Sequence, residues 1–179
     1  MWLDPEAREV VHHLKYGGYH RLAALMADVI SRHAPRPPCG LLVPIPLARR
    51  RFRERGYNQA ALIARGLSRA WNLPVREDLL SRRREAGSQT ALTPEERAAN
   101  VAGAFTAAAA APAAQPAGVG PAVIIVDDVL TTGATLVAAA GSLAAEGWRH
   151  IGAVTFARAL PFERRVIQPN DCTGHNPWP

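Results

Sequence analysis

Apolar positions recur along this chain in two rhythms, one of helices and one of short strands. Asp4-Pro5-Glu6 predicts a helix start, with Asp as cap and Pro in the first turn, and Val10, Val11 and Leu14 give that helix an apolar side as far as Lys15-Tyr16-Gly17-Gly18. A second helix is predicted over about 19–33, where Leu22, Leu25, Met26, Val29 and Ile30 keep helical spacing. Leu41-Leu42-Val43-Pro44-Ile45-Pro46 reads as a short strand ended by a Pro-x-Pro turn. A basic loop over 49–55 follows, then Arg55-Gly56-Tyr57-Asn58-Gln59 and a helix to about residue 71 carrying Ala61, Leu62, Ala64 and Leu67. Leu79-Leu80 and Ala104-Phe105 predict short strands, and Thr93-Pro94-Glu95-Glu96 is a capping box for a helix of one or two turns ending at Asn100. Another strand is expected over 151–157.

The pattern is sharpest at Ala122-Val-Ile-Ile-Val-Asp-Asp-Val-Leu-Thr-Thr-Gly-Ala-Thr-Leu136. Residues 122–126 form an unbroken apolar run, as expected of a strand buried on both faces of a parallel sheet. Asp127 and Asp128 follow at once, then Thr131, Thr132, Gly133, Ala134 and Thr135, then an Ala-rich helix over 136–148 with Gly147 as its cap. A loop feeding a helix N-terminus offers free N–H groups and the positive end of the helix dipole, which favour a phosphate. The threonines add donors, and Gly133 lets backbone approach closely. Two carboxylates would repel that phosphate, so they must face another part of the same ligand. Sugar hydroxyls and Mg²⁺ suit them. The ligand implied is a sugar phosphate. No G-x-x-x-x-G-K-[ST] or G-x-G-x-x-G is present, and a plain strand–turn–helix needs neither both acids nor three threonines around a glycine.

Composition changes this picture little. The 179 residues are 48% hydrophobic and 20% charged, enough for one domain with a sizeable core. No apolar run approaches the ~20 residues of a membrane helix, and the first residues are no signal peptide, so a cytoplasmic protein is expected. Cys39 and Cys172 are isolated, and the histidines too scattered to suggest a metal site. The net charge of +6 gathers at 49–55 and at Arg82-Arg83-Arg84, and only Lys15 of the 21 basic residues is a lysine. Arginine forks suit multi-oxygen phosphates. Nucleic acid is a further option, ranked lower because no aromatics interleave for base stacking. The polar, Gly-containing stretch 82–89 reads as a mobile cover. The Ala/Pro/Gly-rich 107–120 reads as a surface connector, and 161–179 as a poorly ordered tail after a single domain over 1–160.

The acidic segment resembles the phosphoribosyl-pyrophosphate (PRPP) fingerprint of type I phosphoribosyltransferases. With Lys15-Tyr16-Gly17, Val43-Pro44-Ile45-Pro46, Arg55-Gly56-Tyr57-Asn58-Gln59, Arg83 with Gln89, and Arg97-x-x-Asn100-x-x-Gly103-Ala104-Phe105, the order of pieces resembles the ComF family over about residues 10–158. That family is phosphoribosyltransferase-like and linked to competence. The resemblance implies an α/β fold of type I phosphoribosyltransferase form: a mostly parallel central sheet flanked by helices, with a small hood. It implies that Thr131, Thr132, Gly133, Ala134 and Thr135 hold the ribose 5-phosphate, and that Asp127 and Asp128 meet the ribose hydroxyls and, indirectly, Mg²⁺. Pro44, Ile45, Pro46, Arg55 and Asn58 would lie where pyrophosphate is bound. Arg83, Gln89 and Arg97 are the catalytic candidates, in a mobile loop over 82–100.

Two departures bear on function. ComF-type proteins commonly begin with a cysteine-rich zinc module, and this chain starts just after its place, so the module is absent or the start is misassigned. Purine-salvage enzymes often carry an acid where Thr131 stands, and a threonine has no useful pKa for a base, which disfavours purine salvage. The expected activity is Mg²⁺-dependent transfer of a phosphoribosyl group from PRPP to an unidentified nitrogen nucleophile, with pyrophosphate release, by a pentosyl glycosyltransferase. The alternative is a non-catalytic PRPP-sensing or DNA-uptake accessory protein. No membrane partner is expected, and a homodimer stays open.

Overall fold

The computed structural model describes residues 1–83, 103–109 and 122–159. The elements run α1 (Pro5–Tyr16), α2 (Leu22–His33), β1 (Gly40–Pro44), α3 (Arg49–Arg55), α4 (Gln59–Trp71), β2 (Leu80–Arg82), β3 (Phe105–Ala107), β4 (Ala122–Leu130), α5 (Ala134–Ala145) and β5 (Ile151–Arg158). Strands β1, β4 and β5 form a parallel sheet in that order, with Val43 opposite Ile125 and Asp127 opposite Thr155. Single parallel bridges, Leu42 with Val75 and Trp2 with Arg158, extend the sheet beyond both outer strands. Strands β2 and β3 pair antiparallel. The expected mostly parallel sheet flanked by helices is the observed one.

Alternation along β1 and β4 builds two cores, because successive side chains of a strand point to opposite faces. Leu42, Ile124 and Val126 pack with α1, α2 and α4 through Leu14, Met26, Ile30, Ile63 and Leu67. Val43, Val123 and Ile125 pack on the other side with α5 and the β2–β3 pair through Leu80, Phe105, Ala139 and Leu143. Helices α2 and α4 approach closely at Gly66, where a Cβ would stand 2.4 Å from that of Ala27.

Several element boundaries move from expectation. The Asp4 cap accepts the Ala7 N–H at 2.8 Å as predicted, and α4 and β5 end within a residue of their expected limits. Helix α2 starts at Leu22 rather than 19. The basic stretch expected as a loop is a two-turn helix, α3: Arg50 and Glu54 pair at i,i+4 and Gly56 closes it with φ 79°. Strand β4 does not stop before the acids but runs through them to Leu130. Helix α5 begins at Ala134. Its end is a Schellman turn, with Gly147 (φ 89°) donating to Ala144 and Trp148 to Leu143. The capping-box helix over 93–100 and the tail over 161–179 lie outside the described residues.

Candidate active site

The site grows from the C-terminal end of β4. Since the strand period continues through the acids, Asp128 falls on the α1 side with Ile124 and Val126, and Asp127 on the opposite side with Val123 and Ile125. Asp128 is 3% exposed. Its Oδ2 accepts no well-aligned hydrogen bond, but the Lys15 ammonium, from the last turn of α1, stands 2.9 Å away and makes an ion pair with it. Asp127 turns its Oδ1 onto the Asp128 N–H at 2.9 Å. Burial pushes the Asp127 carboxyl up to about 7, and the Asp128 charge adds to the rise; that N–H, Lys15 and Arg82 act against it.

The loop after β4 meets the requirements of an anion cradle. Gly133 adopts φ 84°, in the left-handed region that a glycine enters freely, and turns the chain into α5. The Gly133 cap brings no side chain to that helix, and the Thr132 hydroxyl accepts the Ala134 N–H at 3.4 Å. The first-turn N–H groups of a helix have no partner within it, so those beyond Ala134 are open to water or to a ligand.

A cavity of about 350 Å³ joins these parts. Of the sequence-predicted residues, Ile45, Pro46, Asp127, Asp128, Thr131 and Thr135 line it, while Pro44, Arg55, Asn58, Thr132, Gly133 and Ala134 do not. Asn58 has other partners: its Oδ1 accepts the Ala60 N–H at the start of α4, and its Nδ2 donates to the Ile45 carbonyl at 2.9 Å. It thereby fixes the Pro-x-Pro turn from behind. Arg55 lies over the Tyr16 ring, 5.0 Å from its centroid. Arg83 donates to Thr106 at 3.2 Å and is no part of the lining; its neighbour Arg82 is. Arg83 follows directly after β2, its N–H still donating to the Ala104 carbonyl at 2.8 Å, and successive side chains of extended backbone point to opposite faces. Gln89 and Arg97 lie outside the described residues. A larger open depression, about 550 Å³, is lined by Leu47, Arg49, Phe52 and Arg53, with no acid and no part of the β4–α5 loop.

The sequence reading missed most of the cavity's cations and its buried amide. Lys15, Arg8, Arg51 and Arg82 line the cavity with Gln59, whose side-chain oxygen is buried without a partner. A signal existed for two of them, since Lys15 and Gln59 both stand in stretches singled out above. Those stretches also touch each other: the Tyr57 hydroxyl donates to the Leu14 carbonyl, and Arg55 donates to the Tyr16 hydroxyl at 3.4 Å.

The residues present fit a magnesium ion held in part by the protein. Mg²⁺ is usually bound by one or two carboxylates, together with water and phosphate oxygens. The cavity supplies Asp127 and Asp128, the latter already ion-paired with Lys15 at 2.9 Å. Among the described residues no group of three or more His, Cys, Asp or Glu could enclose a metal.

Residues 54–168, which include the acidic pair of β4 and the Thr/Gly loop entering α5, match the family described as the phosphoribosyl transferase domain. The chain belongs to that family. Competence protein F of Haemophilus influenzae is 35% identical over 98 residues, covering 53% of this chain and 40% of that protein. The DNA utilization protein YhgH of Escherichia coli K12 is 29% identical over 140 residues, covering 74% of this chain and 58% of that one. Within its family the chain is ComF-like, and it spans about half the length of these relatives. A glutamine PRPP amidotransferase from B. subtilis, complexed with ADP and GMP, superposes with a TM-score of 0.50. That superposition covers 76% of this chain and 26% of that one at 16% identity, a likeness of fold. Among the described residues no helix is long and apolar enough to cross a membrane.

Proposed function

We propose that the chain binds PRPP and transfers its phosphoribosyl group to a nitrogen nucleophile with release of pyrophosphate. The observation that carries this reading is the meeting, in one cavity, of two β4 carboxylates, Thr131 of the following loop, Thr135 of the first turn of α5, and four cationic side chains. Thr131, Thr135 and the first turn of α5 would hold the 5-phosphate. Asp127 and Asp128 would orient the ribose hydroxyls. Arg51 and Arg82 would receive the pyrophosphate beside the Ile45-Pro46 turn, opposing the negative charge that develops as the bond at C1 breaks. Bound Mg²⁺ would supply further neutralisation of the leaving group. Covalent catalysis has no part in this scheme, and the nucleophile attacks a sugar carbon that is becoming positive.

A second reading keeps the pocket without turnover: a PRPP-responsive accessory protein in DNA uptake. The relatives favour it: one is a competence protein and the other a DNA utilization protein. One measurement separates the two. Pyrophosphate release from PRPP would be followed across a panel of nucleobases and amines, including ammonia, beside PRPP affinity with Mg²⁺ and with chelator. We expect Mg²⁺-strengthened binding and release with at least one acceptor. Binding without release from any acceptor selects the accessory reading, and absence of binding removes both.

A further inference from the structure

Lys15 carries an inference that goes further into this same site and rests on the sugar-phosphate reading of it. Of the 21 lysines and arginines in the chain it is the one lysine. The one ammonium stands 2.9 Å from Asp128, with the carboxylate side chain 5% exposed and the lysine 23%. The two chemistries differ in a way that matters here: an ammonium is a compact point charge with three donors, whereas a guanidinium is a wide planar fork. A compact cation against a buried carboxylate, at the wall of an anion-binding cavity, stands where a metal ion would otherwise be needed for that oxygen. Its placement is built, too. The carbonyl of the preceding residue, Leu14, accepts the Tyr57 hydroxyl, and the following residue, Tyr16, is held by Arg55.

We infer that Lys15 is a resident cation of the site, which neutralises Asp128 in place of a metal and turns its remaining protons to the anionic ligand. Asp127 is then the acid left for the ligand's hydroxyls and the Mg²⁺ shell. Binding of a sugar phosphate should accordingly survive, weakened, without any divalent ion. Removing Lys15 should move two quantities in opposite directions: chelator-resistant ligand affinity falls, and affinity of the empty protein for a divalent cation rises.

The test compares wild type, Lys15→Met and Lys15→Gln, all as the full chain, with Mn²⁺ alone as a spin-detected probe and PRPP by calorimetry in chelator and in Mg²⁺. The Gln variant keeps an N–H donor for Asp128 and loses the charge. Loss of one charge-assisted hydrogen bond predicts PRPP affinity in chelator about ten- to a hundredfold weaker in both variants, with a smaller loss in Mg²⁺. Freed from its neighbouring positive charge, the acidic pair should bind Mn²⁺ about tenfold tighter. Lys15 is a structural latch only, and the inference falls, if Mn²⁺ affinity is unchanged or weaker and the PRPP loss is equal in both buffers. It falls as well if Lys15→Gln behaves as wild type. Should Lys15→Met not fold, Lys15→Gln decides by the same readings. If wild type binds no PRPP in either buffer, the sugar-phosphate reading fails. The Mn²⁺ titration then still decides whether Lys15 takes a metal's place: tightening keeps that part, and none overturns it.

Discussion

At the scale of single residues, the acidic pair divides into two unequal groups. Asp128 has its cation; Asp127 is pushed up to about 7 by burial and by Asp128. An unfolded Asp loses its proton near its ordinary value of 3.8, so between about pH 4 and 7 the folded protein holds a proton that the unfolded chain has lost. Stability therefore falls as pH rises through that window, by at most about 1.4 kcal/mol per pH unit, and levels off above it. Asp127→Asn removes the dependence. Urea unfolding at a series of pH values should show the variant gaining on wild type from pH 4 to 7, then keeping a constant advantage, while PRPP binding in Mg²⁺ is lost. Asp128→Asn should behave oppositely, losing about 1–3 kcal/mol at pH 7 because Lys15 is left without its partner at a partly buried site. Two variants equally stable at every pH would refute the division. The residue types were legible in the sequence, since two acids before a Thr/Gly loop have few other uses. Their opposed orientation was not. An apolar run that ends in two polar residues does not say whether the strand ends with it, and only continued pairing to Leu130 puts them on opposite faces.

Between elements, close packing decides where the cavity walls stand. Long apolar periods at α1, α4 and β4 were readable from spacing alone. The α3 helix was not, because seven residues with five arginines carry no apolar period, and helicity there rests on an i,i+4 ion pair and the glycine stop. The ties between motifs were invisible for a different reason: Tyr57 and Leu14 are 43 residues apart, and nothing in either stretch names the other. The α2–α4 contact can be tested directly. Gly66→Ala would gain up to about 1 kcal/mol of helix propensity at an exposed site. Here its Cβ would meet that of Ala27 at 2.4 Å, so a net loss of about 1–3 kcal/mol is expected. Adding Ala27→Gly should recover most of the loss in thermal unfolding. A stable single variant, or no recovery in the double, would show that the helices separate freely.

For the whole molecule, the sheet order brings chemistry from distant stretches to one cavity: α1 supplies Arg8 and Lys15, the β1–α3 turn Ile45 and Pro46, α3 Arg51, β2 Arg82, β4 the acids, the loop after it Thr131, and α5 Thr135. Order along the chain made this fold recognisable, while the cavity's cations could not be picked out of a charge spread over 21 basic residues. The basic run itself divides once it is helical. Arg51 faces the cavity, Arg50 pairs with Glu54, Arg55 lies on Tyr16, and Arg49 and Arg53 line the separate depression beside Phe52. Two partners for this charge can therefore be told apart by position. If it serves a small polyphosphate, Arg51→Ala should weaken PRPP binding about tenfold or more, the scale of one charge-assisted contact, and Arg53→Ala should leave it nearly unchanged. Raising salt should weaken PRPP binding through screening of Arg51 and Arg82, which stay partly open to water. A nucleic acid would use the run differently. Its affinity would fall steeply and linearly in log salt, and Arg49→Ala or Arg53→Ala would reduce it as much as Arg51→Ala. Titration of a labelled single-stranded oligonucleotide with and without PRPP completes the comparison. Tight DNA binding at physiological salt that PRPP does not displace, with Arg51→Ala silent toward PRPP, would overturn the assignment of this basic run to the pocket.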